Sequence, residues 1–175
     1  MKKKKIIKRI AISIFVSIFL QSCISVSNIS KNSGVNQRQL TNIPKGTKVI
    51  NVEKDNITTD SLYEEVYSIL LLRGHRIFKD DKQRHYITTE GKAVGEATLQ
   101  RMTLVVSENG NSINLEIRTE WKPGMEATMM ASAVSGIPVS SDWAIAKWEI
   151  SRLGISFAES VAIANKIKGG RVSYR

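Results

Sequence analysis

The chain has 175 residues, and 26 Lys plus Arg against 16 Asp plus Glu give it a formal charge of +10. Six of those basic residues, Lys2, Lys3, Lys4, Lys5, Lys8 and Arg9, open the sequence; without them the balance is 26 − 6 = 20 against 16, or +4, which removes most of the case for nucleic-acid binding. A single cysteine excludes an internal disulfide, and two histidines in separate segments give no metal-ligand spacing.

After the basic residues comes an apolar run, Ile10 to Leu20, of 11 residues interrupted only by Ser13 and Ser17. That is the size of a secretory h-region. A spanning helix needs about 20 apolar residues, so a permanent membrane segment fits less well. The positive end stays cytoplasmic and the remainder is exported. Cys23 follows directly. The polar Ser/Asn-rich stretch beyond it offers nothing to bury an apolar thiol. Oxidation in an exported compartment disfavours a free reactive thiol.

Leu20-Gln21-Ser22-Cys23 resembles the lipobox of bacterial lipoproteins, with Leu three residues before the cysteine and small Ser22 next to it. The resemblance covers the first 23 residues and is specific in the order and spacing of its parts. It implies cleavage between Ser22 and Cys23, a diacylglycerol thioether on Cys23 Sγ and an acyl group on the new amino terminus. Each buried CH₂ contributes about 0.8 kcal/mol, so several chains on one residue anchor it permanently. In diderm bacteria an Asp after the cysteine resembles the inner-membrane retention signal. Ile24 stands there instead, which implies the outer membrane. No charged run follows the cysteine, so the domain is expected to face the periplasm rather than the cell surface.

Removal of residues 1–22 leaves 175 − 22 = 153 residues, the size of one domain. Residues 24–43 are rich in Ser and Asn without a sustained period and predict a flexible tether of about 25 Å span. The folded domain is then expected over 44–175. Lys48 to Glu53 predicts a strand. A helix follows, capped by Thr59, Asp60 or Ser61, with Leu62, Val66, Ile69 and Leu70 on one face and Gly74 at its end. "HRIF" and Tyr86 to Thr89 predict two strands around an Asp80–Gln83 turn.

The clearest structural signal is residues 97–122, where Asn109-Gly110 separates two alternating runs. A two-residue turn there predicts pairs whose numbers sum to 219. Val106 would then face Ile113, Leu104 face Leu115, and Met102 face Ile117, which puts the apolar sets of both strands on one face. Beyond it, Met125 to Val134 predicts a short helix, and residues 140–153 another helical turn. Ser156 with Glu159 predicts a capping box for a last helix. "RVSYR" predicts an edge strand. The expected class is α+β: an antiparallel sheet of about 4–5 strands with helices on one face. The element order resembles that of many small envelope lipoproteins.

Chemistry is sparse. His75 and His85 each stand beside an arginine and read as loop histidines. No G-x-S-x-G elbow accompanies the serines, and Gly91 to Ala97 lacks the order of a phosphate loop. No catalytic set, metal site or cofactor is expected. The 219 register sets Arg101 opposite Arg118, which predicts either neutralisation by Glu116 and Glu120 or a binding face for an anion, such as a lipid headgroup or cell-wall polymer. Met125, Met129 and Met130 predict core-filling side chains or an adaptable surface for an envelope protein partner. Two functions result: a lipid-anchored, non-enzymatic binding or scaffold module, or a periplasmic hydrolase with His75 or His85 as base.

Overall fold

A computed structural model describes residues 24–94, 98–135 and 142–175. Residues 1–23, Ser22 and Cys23 among them, lie outside the described residues. So do Gly95 to Ala97 and Gly136, where sequence readings also fell.

The segment expected to be a tether is folded. It forms α1 (Val26–Ser33) and α2 (Gln37–Thr41), each started by a side-chain cap from Ser25 or Asn36. Its few apolar residues are the reason. Ile29 and Leu40 are fully buried, and Val35 and Ile43 nearly so. Ser33 is buried too, with its hydroxyl donating 2.8 Å back to the Ile29 carbonyl. The folded unit therefore begins some twenty residues earlier than Pro44.

Strand β1 (Val49–Asp55) leads into α3 (Thr59–Leu72). Thr58, not a later residue, caps α3 by accepting from the Ser61 amide. The helix ends in a Schellman motif: Gly74, at φ 75, donates to the Leu71 carbonyl, and His75 donates to the Leu70 carbonyl. A Cβ would strain that left-handed position, which is why Gly stands there.

Strands β2 (Ile77–Asp81), β3 (Tyr86–Thr89), β4 (Lys92–Val94), β5 (Thr98–Asn109) and β6 (Ser112–Pro123) follow. Helix α4 (Met125–Ser135), strand β7 (Ala144–Ile145), helix α5 (Arg152–Ala164) and strand β8 (Arg171–Tyr174) complete the described chain. Among the described residues the sheet has eight strands in the order β2-β3-β5-β6-β1-β8, with β4 on β5 and β7 on β6. All pairs are antiparallel. The α+β class holds, with more strands than the 4–5 expected. The strands not anticipated, β4 and β7, are three- and two-residue pieces whose sequences carry little alternation. β8 is an edge strand, and β7 replaces the helical turn expected near residues 140–153.

The β5–β6 hairpin forms with its turn one residue later, at Gly110-Asn111. Asn109 pairs with Ser112, so paired numbers sum to 221 rather than 219. Gly110 has φ 61 and Asn111 is not left-handed, which fits a type II′ turn with Gly first. The register moves by two residues, so side chains keep their faces. Met102, Leu104, Val106, Leu115 and Ile117 are buried together, as alternation required. α3 and α5 lie against that face.

Helix α5 starts four residues before Ser156. Ser156 and Glu159 are therefore interior, buried residues, not a capping box.

Candidate functional site

Glu159 is the most unusual group in the described structure. It projects from α5 among apolar and small residues, and two cations and a histidine converge on it. Arg73, the C-cap of α3, donates from Nη2 to Oε2 at 2.7 Å and from Nε to Oε1 at 3.2 Å. Lys92 of β4 donates to Oε1 at 3.3 Å and to the Arg73 carbonyl at 2.6 Å. His75 Nε2 stands 3.1 Å from Oε1. The Schellman turn explains the convergence: it reverses the chain directly after Arg73 and turns His75 inward. Arg73 Nη2 also reaches the Ser33 carbonyl of α1 at 3.4 Å.

Burial pushes the Glu159 carboxyl up. Hydrogen bonds from His75 and Arg73 and the charges of Arg73 and Lys92 outweigh it and hold the group at about 2. A carboxylate held there is a weak base and is not an acid at neutral pH. His75 Nδ1 is buried without a hydrogen-bond partner, so no hydroxyl stands on it to be activated. A shallow recess of about 150 Å³ opens beside Lys92 and Glu159. The cluster ties α1, α3, β4 and α5 together and suits a structural clamp better than a catalytic centre.

Both histidines do stand within 4 Å of a carboxylate, as a hydrolase would need. His75 is a buried residue of a helix terminus, however, and not the loop histidine expected. His85 is a turn residue at φ 48, with Nε2 2.9 Å from Asp60 Oδ1. Its ring meets Tyr63 edge-on at 5.9 Å. Burial, then the charge of Asp80, raises the Tyr63 hydroxyl to about 12. Asp80 accepts from Tyr63 of α3, and Asp81 accepts from the Arg84 amide of its own turn. Among the described residues no three His, Cys, Asp or Glu cluster as metal ligands.

Arg101 and Arg118 do not face each other. The 221 register sets Arg101 against Glu120 and Arg118 against Thr103. Arg101 Nε lies 2.7 Å from Glu120, and its guanidinium stacks 4.6 Å above the Trp143 ring. Arg118 Nε lies 2.6 Å from Glu116, which also takes Arg175 at 2.8 Å. The premise of a repelling arginine pair is thereby corrected: each has its own carboxylate.

Two surfaces remain. Met125, Met129, Met130 and Val134 of α4 are all exposed, so these methionines do not fill the core. α4 touches the rest of the described structure only sparsely. A second recess, about 570 Å³, is lined by Leu40, Ile43, Lys45, Trp148, Glu149 and Ile150, among others.

Sequence reading missed Arg73, Lys92 and Glu159. The available signal was Glu159 itself, one acid inside the small and apolar run Phe157 to Ala164.

No family model and no curated protein matches the chain. Among solved structures, it is similar to a DUF4468 family protein from Bacteroides ovatus ATCC 8483, with 13% identity and a TM-score of 0.38, covering 72% of this chain and 90% of that one. So slight a likeness places the chain in no family. No helix among the described residues is long and apolar enough to cross a membrane.

Proposed function

We propose that the chain is a lipid-anchored module of the bacterial cell envelope that binds a partner rather than transforms a substrate. The observation that carries this reading is the leader: a basic start, an 11-residue apolar run and Leu20-Gln21-Ser22-Cys23 in order. Cys23 becomes the amino terminus and carries the lipid. Ile24 after it favours the outer membrane, with the domain in the periplasm. Two features of the domain support binding over catalysis. Its buried ionisable groups neutralise one another, and α4 leaves adaptable methionine side chains uncovered.

The test is metabolic labelling with a fatty-acid probe. The natural chain is expected to take up label, and Cys23→Ser is expected to take up none. Equal labelling of both, or of neither, overturns the reading. The hydrolase alternative retains one observation in its favour, the partly exposed His85–Asp60 pair at 2.9 Å. His85→Ala abolishing a peptidoglycan- or lipid-cleaving activity of the purified chain would establish it.

A further inference from the structure

We infer that the domain lies directly on the lipid bilayer, with the surface around Ile150 against the headgroup layer. The inference rests on lipidation of Cys23 and adds an orientation to it.

The chain leaves no slack between anchor and fold. Ser25 already caps α1, and Ile24 and Val26 pack against the core. Only Ile24 lies between Cys23 and the cap, a reach of at most about 7 Å over two Cα–Cα steps. A domain on a 20-residue tether would tumble freely; this one cannot leave the membrane surface.

The contacts of α1 show which surface is held there. Ile29 Cδ1 lies 3.2 Å from where a Cβ on Gly154 would stand. Farther along, Asn32 and Ser33 share a recess with Ile155 and Glu159. α1 and α5 therefore run side by side in the same direction. The Glu149 carbonyl crowds that same position on Gly154, so Ile29 of α1 stands beside the residues that lead into α5, Glu149 to Ser151. There Ile150 leaves 58% of its surface exposed, beside the recess formed with Leu40, Ile43 and Trp148. Lys45 borders that recess and is exposed. Glu149 lines it too and is half-buried. Apolar side chains with a lysine at the rim suit the headgroup–acyl boundary, where the ammonium reaches the phosphates and the aliphatic parts sink.

The hairpin tip points away. β1 pairs Val49 with Arg118 and, six positions on, Asp55 with Ser112, so the tip is about 20 Å beyond Val49. The Pro44–Thr47 turn and Trp148 lie on the other side of Val49, joined by Gly46 N to Trp148 O at 2.9 Å.

The test uses the processed, lipidated chain in phosphatidylethanolamine–phosphatidylglycerol vesicles. The thioether blocks Cys23, so Ile150→Cys or Asn111→Cys supplies the sole reactive thiol. Each is made with natural spacing and with a Gly/Ser spacer of about 20 residues after Cys23. A bulky polyethylene-glycol maleimide reports access, and intact mass reports lipidation in the same samples. The expected result is loss of Ile150→Cys labelling at natural spacing, recovery with the spacer, and full labelling of Asn111→Cys in both. Equal Ile150→Cys labelling with and without the spacer, on lipidated protein, overturns the orientation alone. A mass without lipid overturns the anchor and the orientation together. Loss of Asn111→Cys labelling as well overturns the assignment of the face.

Discussion

Replacing Glu159 by Gln removes one charge from the Arg73–His75–Lys92 cluster and leaves the volume almost unchanged. The free carboxyl stands at 4.5 and the folded one at about 2, a difference of roughly 2.5 pH units. At about 1.4 kcal/mol per unit, the folded state gains on the order of 3 kcal/mol from ionised Glu159. Removing one partner of a buried pair typically costs about 3–5 kcal/mol. Arg73 and Lys92 keep 24% and 32% of their side-chain surface exposed, so the lower end applies. The sign follows from the depressed folded value. The contribution is complete above 4.5 and fades as pH falls through about 2. Urea unfolding followed by far-UV circular dichroism measures it, with an unchanged slope as the check on two-state behaviour. Glu159→Gln is expected to be about 3 kcal/mol less stable than the natural chain at neutral pH, with the gap closing in acid. Equal midpoints at neutral pH, or a gap that does not narrow on acidification, would refute the clamp.

Other substitutions address other parts of the fold. Leu40→Ala is expected to cost about 2–5 kcal/mol, since Leu40 is fully buried; an unchanged urea midpoint would restore the tether over residues 24–43. Gly154→Ala, which in an exposed helix stabilises by about 1 kcal/mol, is expected to destabilise here. Its Cβ would run into the Glu149 carbonyl oxygen, and thermal unfolding reads the sign. Met130→Lys is expected to move stability by less than about 0.5 kcal/mol because Met130 is exposed; a large loss would mean that α4 covers apolar surface.

The hairpin was legible because two independent signals, the turn residues and the alternation, agreed on which side chains share a face. They did not settle the register. Asn-Gly and Gly-Asn readings of the same three residues give pairings two apart with identical faces. The backbone of Asn109, which lacks the left-handed conformation an Asn-Gly turn requires, distinguishes them, and with it whether Arg101 meets an arginine or Glu120. α3 was legible through its apolar period and its closing glycine. α1 and α2 were not, because Ser and Asn dominate their composition. Their burial rests on Ile29, Val35, Leu40 and Ile43, spaced too widely to show a period. The Glu159 cluster was hidden for a related reason. Its members come from α3, β4 and α5, and the Ser156–Glu159 spacing imitated a cap. The one local mark, an acid inside the small and apolar run Phe157 to Ala164, does not say which distant groups meet it.

The proposed anchor is the centre of the functional reading, and the intact mass of the chain isolated from its native cells tests it most directly. The expected species begins at Cys23, lacks residues 1–22 and carries the added mass of a diacylglyceryl group and an amide-linked acyl chain. A chain that retains Met1 to Ser22, or one that begins elsewhere with a free Cys23 thiol, would contradict it.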